Sequence, residues 1–260
     1  MRALPRLMVA PNGARRGKAD HPALPMTLPE IVETARACWA AGADGLHLHL
    51  RDAQGRHLLD AGAYAEALGA LRRAVPDMAL QITTEAVGVY DPPHQRAVAL
   101  DAGADLVSVA LREMAAPPHD AEAPAFYGAC AERGIAVQHI LYDAADFDLL
   151  DRLVPSGLKD APDLQLIFVL GRYSTGQQST PHDLDPFLDC LAQRATAADW
   201  AVCAFGRSET ACLKAAHAAG GKLRVGFENN LVNDDGNPAR DNADRVAEIR
   251  AVMANQHTPS

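Results

Sequence analysis

The strongest constraint on how this chain folds is an alternation of two hydrophobic periods. Short apolar runs at residues 7–10, 45–50, 78–82, 106–110, 135–142, 164–170, 201–205 and 223–227 have the length and composition of buried strands. Between them, stretches such as 28–41, 61–74, 95–102, 121–133, 183–197 and 208–218 place Ala, Leu and charged residues at helical spacing. Three helix ends share one signature, Ala41-Gly42-Ala43-Asp44, Ala102-Gly103-Ala104-Asp105 and Ala219-Gly220-Gly221-Lys222, with a glycine placed for a left-handed C-cap. Strands that alternate with helices run parallel, and eight of them in 260 residues close into a barrel. The expected fold is therefore α/β, a single-domain (β/α)8 TIM barrel over residues 1–260, with residues from about 255 onward a tail.

The formal charge of −9 and the lack of any cationic run beyond Arg15-Arg16 and Arg72-Arg73 exclude a nucleic-acid surface, which needs clustered cations. A small-molecule partner is expected instead. The five cysteines are odd in number and form no Cys-x-x-Cys pair, so neither a disulfide framework nor a thiolate zinc site is indicated. Without a signal-peptide core or an apolar run of membrane-spanning length, a cytoplasmic protein with no membrane partner is expected.

In such barrels chemistry sits just after the strands. The second run, Gly45-Leu46-His47-Leu48-His49-Leu50-Arg51-Asp52, is the most informative. Side chains two apart on a strand share a face, so His47, His49 and Arg51 point inward while Leu46, Leu48 and Leu50 face the helices. Two converging imidazoles can share one divalent ion and leave room for a carboxylate and a substrate. Glu228, after the eighth strand, is the candidate third ligand; its alternative is an ion pair with Arg224 or Arg51. The segment Gly171-Arg172-Tyr173-Ser174-Thr175-Gly176 offers backbone donors and one cation but lacks the spacing of a dinucleotide loop. His139, alone in the fifth strand, reads as structural.

The stretch Gly42-Ala43-Asp44-Gly45-Leu46-His47-Leu48-His49-Leu50-Arg51-Asp52, together with Arg224-Val225-Gly226-Phe227-Glu228-Asn229, resembles the β-keto acid cleavage enzymes, the family that includes the 3-keto-5-aminohexanoate cleavage enzyme. The similarity runs nearly end to end through Ala10-Pro11-x-Gly13-Ala14, Thr83-Thr84, Tyr142-Asp143, Leu170-Gly171, Phe205-Gly206-Arg207 and Asn242-Ala243. The resemblance implies a barrel, usually tetrameric, that holds Zn2+, or another divalent cation such as Mn2+ or Co2+, through His47, His49 and Glu228. It also implies a Claisen-type exchange in which a β-keto acid and acetyl-CoA or another acyl-CoA give acetoacetate and a new CoA thioester. Arg224 would neutralise a developing oxyanion or orient Glu228.

Several residues depart from the family pattern. Asn229 stands where the family places the Asp that acts as base, and an amide cannot take that proton. Asn229 is expected to bind substrate or orient Glu228. Glu85-Ala86 replaces a Gly-Gly pair, and the added carboxylate of Glu85 either supplies the missing base or forms a salt bridge with Arg15 or Arg51. Arg15, Gln138 and Ile140 replace carboxylates, so Arg15, Arg16 and Arg51 suit a substrate with an additional anionic or neutral polar end. Asn12, Thr83, Thr84 and Ser108 complete the residues expected to touch substrate, Thr83 and Thr84 by hydrogen bonds to a carboxylate. The rival readings are another metal-dependent hydrolase or lyase, and a catalytically silent barrel that binds metal and ligand. Against an amidohydrolase-type enzyme, the paired histidines lie on the second strand rather than the first, and the sixth run has no histidine.

Overall fold

A computed structural model describes residues 3–194 and 198–255. Eight parallel strands form a closed barrel: β1 (Leu7–Val9), β2 (Gly45–Leu48), β5 (Ala79–Thr83), β6 (Leu106–Ala110), β7 (Ala136–Leu141), β8 (Gln165–Leu170), β9 (Asp199–Ala204) and β10 (Lys222–Val225). They pair in the circular order β1-β10-β9-β8-β7-β6-β5-β2, with β1 also bonded to β2. Two further short strands, β3 (Leu50–Arg51) and β4 (His57–Leu58), form an antiparallel hairpin above the barrel rim.

The helices are α1 (Leu28–Ala40), α2 (Ala61–Ala74), α3 (Pro92–Asp101), α4 (Leu111–Met114), α5 (Ala123–Glu132), α6 (Asp146–Leu153), α7 (Ser156–Lys159), α8 (Asp185–Ala192), α9 (Glu209–Ala218) and α10 (Asn242–Asn255). Their starts follow from local chemistry. Thr27 and Glu30 form a reciprocal capping box at α1, while Asp60 and Asp91 each accept a backbone N–H at α2 and α3. Such caps contribute about 1 kcal/mol each. The three glycines expected at helix ends all adopt positive φ, at 102° for Gly42, 69° for Gly103 and 88° for Gly220.

Alternation along the strands sorts the core into two layers. Leu46, Leu48, Val107, Val109 and Leu141 face the helices, whereas Met8, Leu106, Ala136, Ile167, Val169 and Cys203 fill the barrel interior. His139 falls in the outer layer, its ring 5.0 Å from that of Tyr127, in keeping with a structural role.

The eight expected strands are all present, with shifted ends. The second stops at Leu48, because the chain turns outward into the β3–β4 hairpin. The eighth stops at Val225. The helix expected from 121 begins with a single tighter turn at His119–Glu122. That expected from 183 runs as α8 only to Ala192, and its expected end at 195–197 lies outside the described residues, as does the tail beyond 255. The connection carrying α6 and α7 had no helical assignment from the sequence. Among the described residues no helix is long and apolar enough to cross a membrane, and all five cysteines are free.

Candidate active site

The strand ends surround an open pocket. His47 and His49 lie on its floor, 2% and 1% exposed, and their Nε2 atoms face each other at 3.1 Å. Glu228 arrives from the turn after β10, with its oxygens 3.7 Å from each Nε2. One donor atom from each of the three residues falls within a 4.8 Å group.

A relay of amides fixes the tautomer of His47. Gln138 donates through Nε2 to the Leu166 carbonyl at 3.2 Å, and its Oε1 accepts from Gln81 Nε2 at 2.9 Å. Gln81 Oε1 must then accept from His47 Nδ1, at 2.8 Å. This leaves the His47 Nε2 lone pair directed at His49 and Glu228. Burial pushes the His47 imidazolium down to about 4, with Arg224 adding to the effect, and holds His49 well below its usual range. Both imidazoles are thus neutral ligands at ordinary pH. Glu228 Oε2 has no hydrogen-bond partner within the protein. Two facing Nε2 atoms and an unsatisfied carboxylate oxygen match the nitrogen and oxygen ligands of a divalent cation.

Arg224 projects from β10 into the same floor, 4% exposed, with a guanidinium nitrogen 3.8 Å from Glu228 Oε1. It also donates to Cys203 Sγ at 3.2 Å. Gly13, in the turn after β1, lies against the other side of Glu228: a Cβ at that position would fall 2.6 Å from Glu228 Cγ. The φ of 59° at Gly13 independently favours glycine.

Arg51 has a different role from the one expected. Because β3 leaves the barrel, its guanidinium donates to the carbonyls of Gly13 at 3.1 Å, Gly55 at 3.0 Å and Arg16 at 3.0 Å. Arg51 therefore pins the first loop and does not line the pocket. It is also not the salt-bridge partner of Glu85 or Glu228. Thr84 and Ser108 are likewise absent from the pocket wall: the Thr84 hydroxyl donates to the Ser108 carbonyl at 2.9 Å. Asn229 is fully buried outside the pocket lining, and its backbone carbonyl accepts from Arg16. Asn12, Arg15, Thr83, Glu85 and Arg224 do line it. Asn12 donates to the Pro25 and His49 carbonyls, and Thr83 Oγ1 accepts the Glu85 N–H at 3.0 Å, which shapes the turn that presents Glu85.

Glu85 meets two arginines: Arg172 at 3.3 Å, from the loop after β8, and Arg15 at 3.8 Å. Its carboxyl is nonetheless raised above the ordinary range, first by burial and then by Glu228. In the sequence Arg172 is only a loop cation, and neither Gln81 nor His57 stands out. Gln81 was accessible in principle, since it precedes Thr83 by two and shares its inward face. His57 carries no such signal. The hairpin brings its ring to 5.4 Å from that of His49, and its Nε2 donates to the Glu85 carbonyl at 2.9 Å.

The chain is 27% identical over 250 residues to a 3-keto-5-aminohexanoate cleavage enzyme of Acetoanaerobium sticklandii, covering 91% of this chain and 87% of that protein. It is 25% identical over 262 residues to a 3-oxoadipate:acetyl-CoA acetyltransferase of Cupriavidus necator, covering 97% and 89%. The apo structure of ObcA superposes with a TM-score of 0.66 at 18% identity, over 90% of this chain; the chain spans only 62% of that protein, and the likeness bears on the fold alone. The family model of the beta-keto acid cleavage enzymes matches residues 6–259, taking in both histidines and Glu228, and the chain belongs to that family.

Proposed function

We propose that this protein exchanges acyl groups between a β-keto acid and an acyl-CoA, acetyl-CoA in the simplest case, releasing acetoacetate and a new CoA thioester. The observation that carries this reading is the convergence of His47, His49, Glu228 and Arg224 on one pocket floor, with Glu85 facing the same cavity. The name of the Cupriavidus necator relative, an acetyl-CoA acetyltransferase, supports the choice of co-substrate.

His47, His49 and Glu228 would hold the cation, most simply Zn2+, with Mn2+ or Co2+ as alternatives set by availability. Such an ion supplies positive charge where a β-keto carboxylate binds and an enolate develops. Arg224, buried and charged beside that point, neutralises a second oxyanion and restrains Glu228. Glu85 acts as the base that removes the substrate Cα proton. Its burial raises its proton affinity toward the working pH, which suits a base, and Asn229 has no proton-accepting carboxylate to offer.

Incubating the purified, metal-loaded protein with a panel of β-keto acids and acetyl-CoA tests the reading. Acetoacetate and a new acyl-CoA should appear in equal amounts and only when both substrates are present. Turnover without CoA would favour a hydrolase or a simple lyase. Binding without turnover would favour a silent metal-binding barrel.

A further inference from the structure

The outer half of the pocket differs chemically from its floor. Above the metal-ligand residues the wall is apolar, formed by Ala110, Ile140, Val169 and Phe205 at successive strand ends. Beyond this band Arg16, from the loop after β1, and Arg172, from the loop after β8, both reach the pocket. Arg172 is only 14% exposed and lies over the Phe205 ring, 5.2 Å from its centroid. Arg16 is held by two carbonyls, of Phe227 at 2.6 Å and Asn229 at 3.3 Å. Arg15 adds a third, more exposed positive charge at the rim, and Glu85 is the one carboxylate that pairs with any of them within 4 Å among the described residues.

Asp20, Glu209 and Glu228 act on Arg16 at longer range, while Glu85 is the carboxylate that pairs directly with Arg15 and Arg172. Neither arginine is free to swing away, since Arg16 is fixed by backbone carbonyls and Arg172 by Glu85 and the Phe205 ring. Guanidinium groups held in this way are suited to bidentate recognition of a carboxylate.

We propose that Arg16 and Arg172 form an anion subsite for the far end of the substrate, and that the preferred β-keto acid is a dicarboxylate whose methylene chain lies along the apolar band. The proposal rests on the reading of the pocket as a β-keto acid site. A phosphate of the acyl-CoA has related chemistry, and the kinetics separate it from a substrate carboxylate.

Kinetics should be measured with β-keto acids matched in length and ending in carboxylate, methyl or ammonium, for the wild type and for Arg172→Ala and Arg172→Lys. The wild type should prefer the carboxylate end by roughly 100-fold in kcat/KM, and Arg172→Ala should erase most of that preference through KM. Arg172→Lys should restore part of it, since charge returns without the fork. A preference for methyl or ammonium ends in the wild type would overturn the proposal. So would an Arg172→Ala effect confined to the KM of acetyl-CoA, because the anion would then be a CoA phosphate.

A binding measurement keeps the proposal testable even if no β-keto acid turns over. Glutarate should raise the melting temperature of the metal-loaded wild type more than butyrate does, and the difference should vanish in Arg172→Ala. Equal effects of the two acids on the wild type would sink the subsite, whereas a glutarate effect without turnover of any β-keto acid would sink only the proposed reaction.

Discussion

The floor and the rim of the pocket are built by different physics. On the floor, His47 and Arg224 are carried by β2 and β10, the two barrel strands that flank β1, and His49 follows β2 directly; all three are almost fully buried, and His47 is braced by a chain of amides that ends on a backbone carbonyl. At the rim, Arg15, Arg16, Glu85 and Arg172 come from three loops, and Arg15 has 61% of its side chain exposed. The strand-borne floor fixes atoms tightly enough for bond-making chemistry. The loop-borne rim can change its charge without disturbing the barrel, and the proposed anion subsite would make it the place where substrate choice is set.

The largest expected effect comes from the floor. Glu228→Gln should lose the bound ion and about 1,000-fold or more in turnover, while circular dichroism stays native. Metal analysis of the purified variant checks this, and full retention of metal would return Glu228 to a simple ion pair with Arg224.

Glu85→Gln joins the two regions. Turnover should fall by about 100- to 10,000-fold with metal content unchanged, as for loss of a general base. Full activity in this variant would leave Glu85 with the rim alone, as a tether for Arg172 and Arg15.

Gly13→Ala tests how closely the first loop supports the floor. The added methyl must displace the Glu228 side chain, and it also strains a φ of 59°, so metal affinity should drop about 10-fold with a loss of roughly 1–2 kcal/mol in stability. Titration with a competing chelator and a thermal melt read the two effects separately.

The smallest effect concerns Glu113, beneath the rim, which accepts the Ala86 N–H and a hydrogen bond from Gln95. Burial, opposed by the Ala86 N–H and reinforced by Glu85, raises its carboxyl from 4.5 to about 7. A folded-state value above the unfolded one stabilises below about pH 4.5 and is lost as pH rises through about 7. Relative to the wild type, Glu113→Gln should therefore gain stability between pH 5 and pH 8, by roughly 5 °C in Tm. A pH-independent difference would show that Glu113 is not held protonated.

How legible each region was in the sequence follows the same division. His47 and His49 could be paired from alternation alone, because the strand geometry is local. Thr83 and Arg224 followed from strand ends in the same way. Arg51 obeyed the same period on paper but left the barrel, because the chain turns after Leu48 and Asp52 closes the β3–β4 hairpin by accepting the Gln54 and Arg56 N–H groups. Thr84 was misplaced for a related reason, since its hydroxyl satisfies the Ser108 carbonyl of the neighbouring strand instead of facing the ligand, and Ser108 lies within β6, outside the pocket lining.

The sequence by itself determined the alternation of strands and helices, the glycines that end three of the helices, and the two imidazoles of the floor, since each depends on residues within a few positions of one another. Only the tertiary structure decided that Glu228 reaches those imidazoles, that Gly13 must lack a side chain beside it, and that Glu85 meets an arginine 87 residues away. Such contacts depend on barrel closure, which brings distant strand ends together while local periodicity carries no record of which ends will meet.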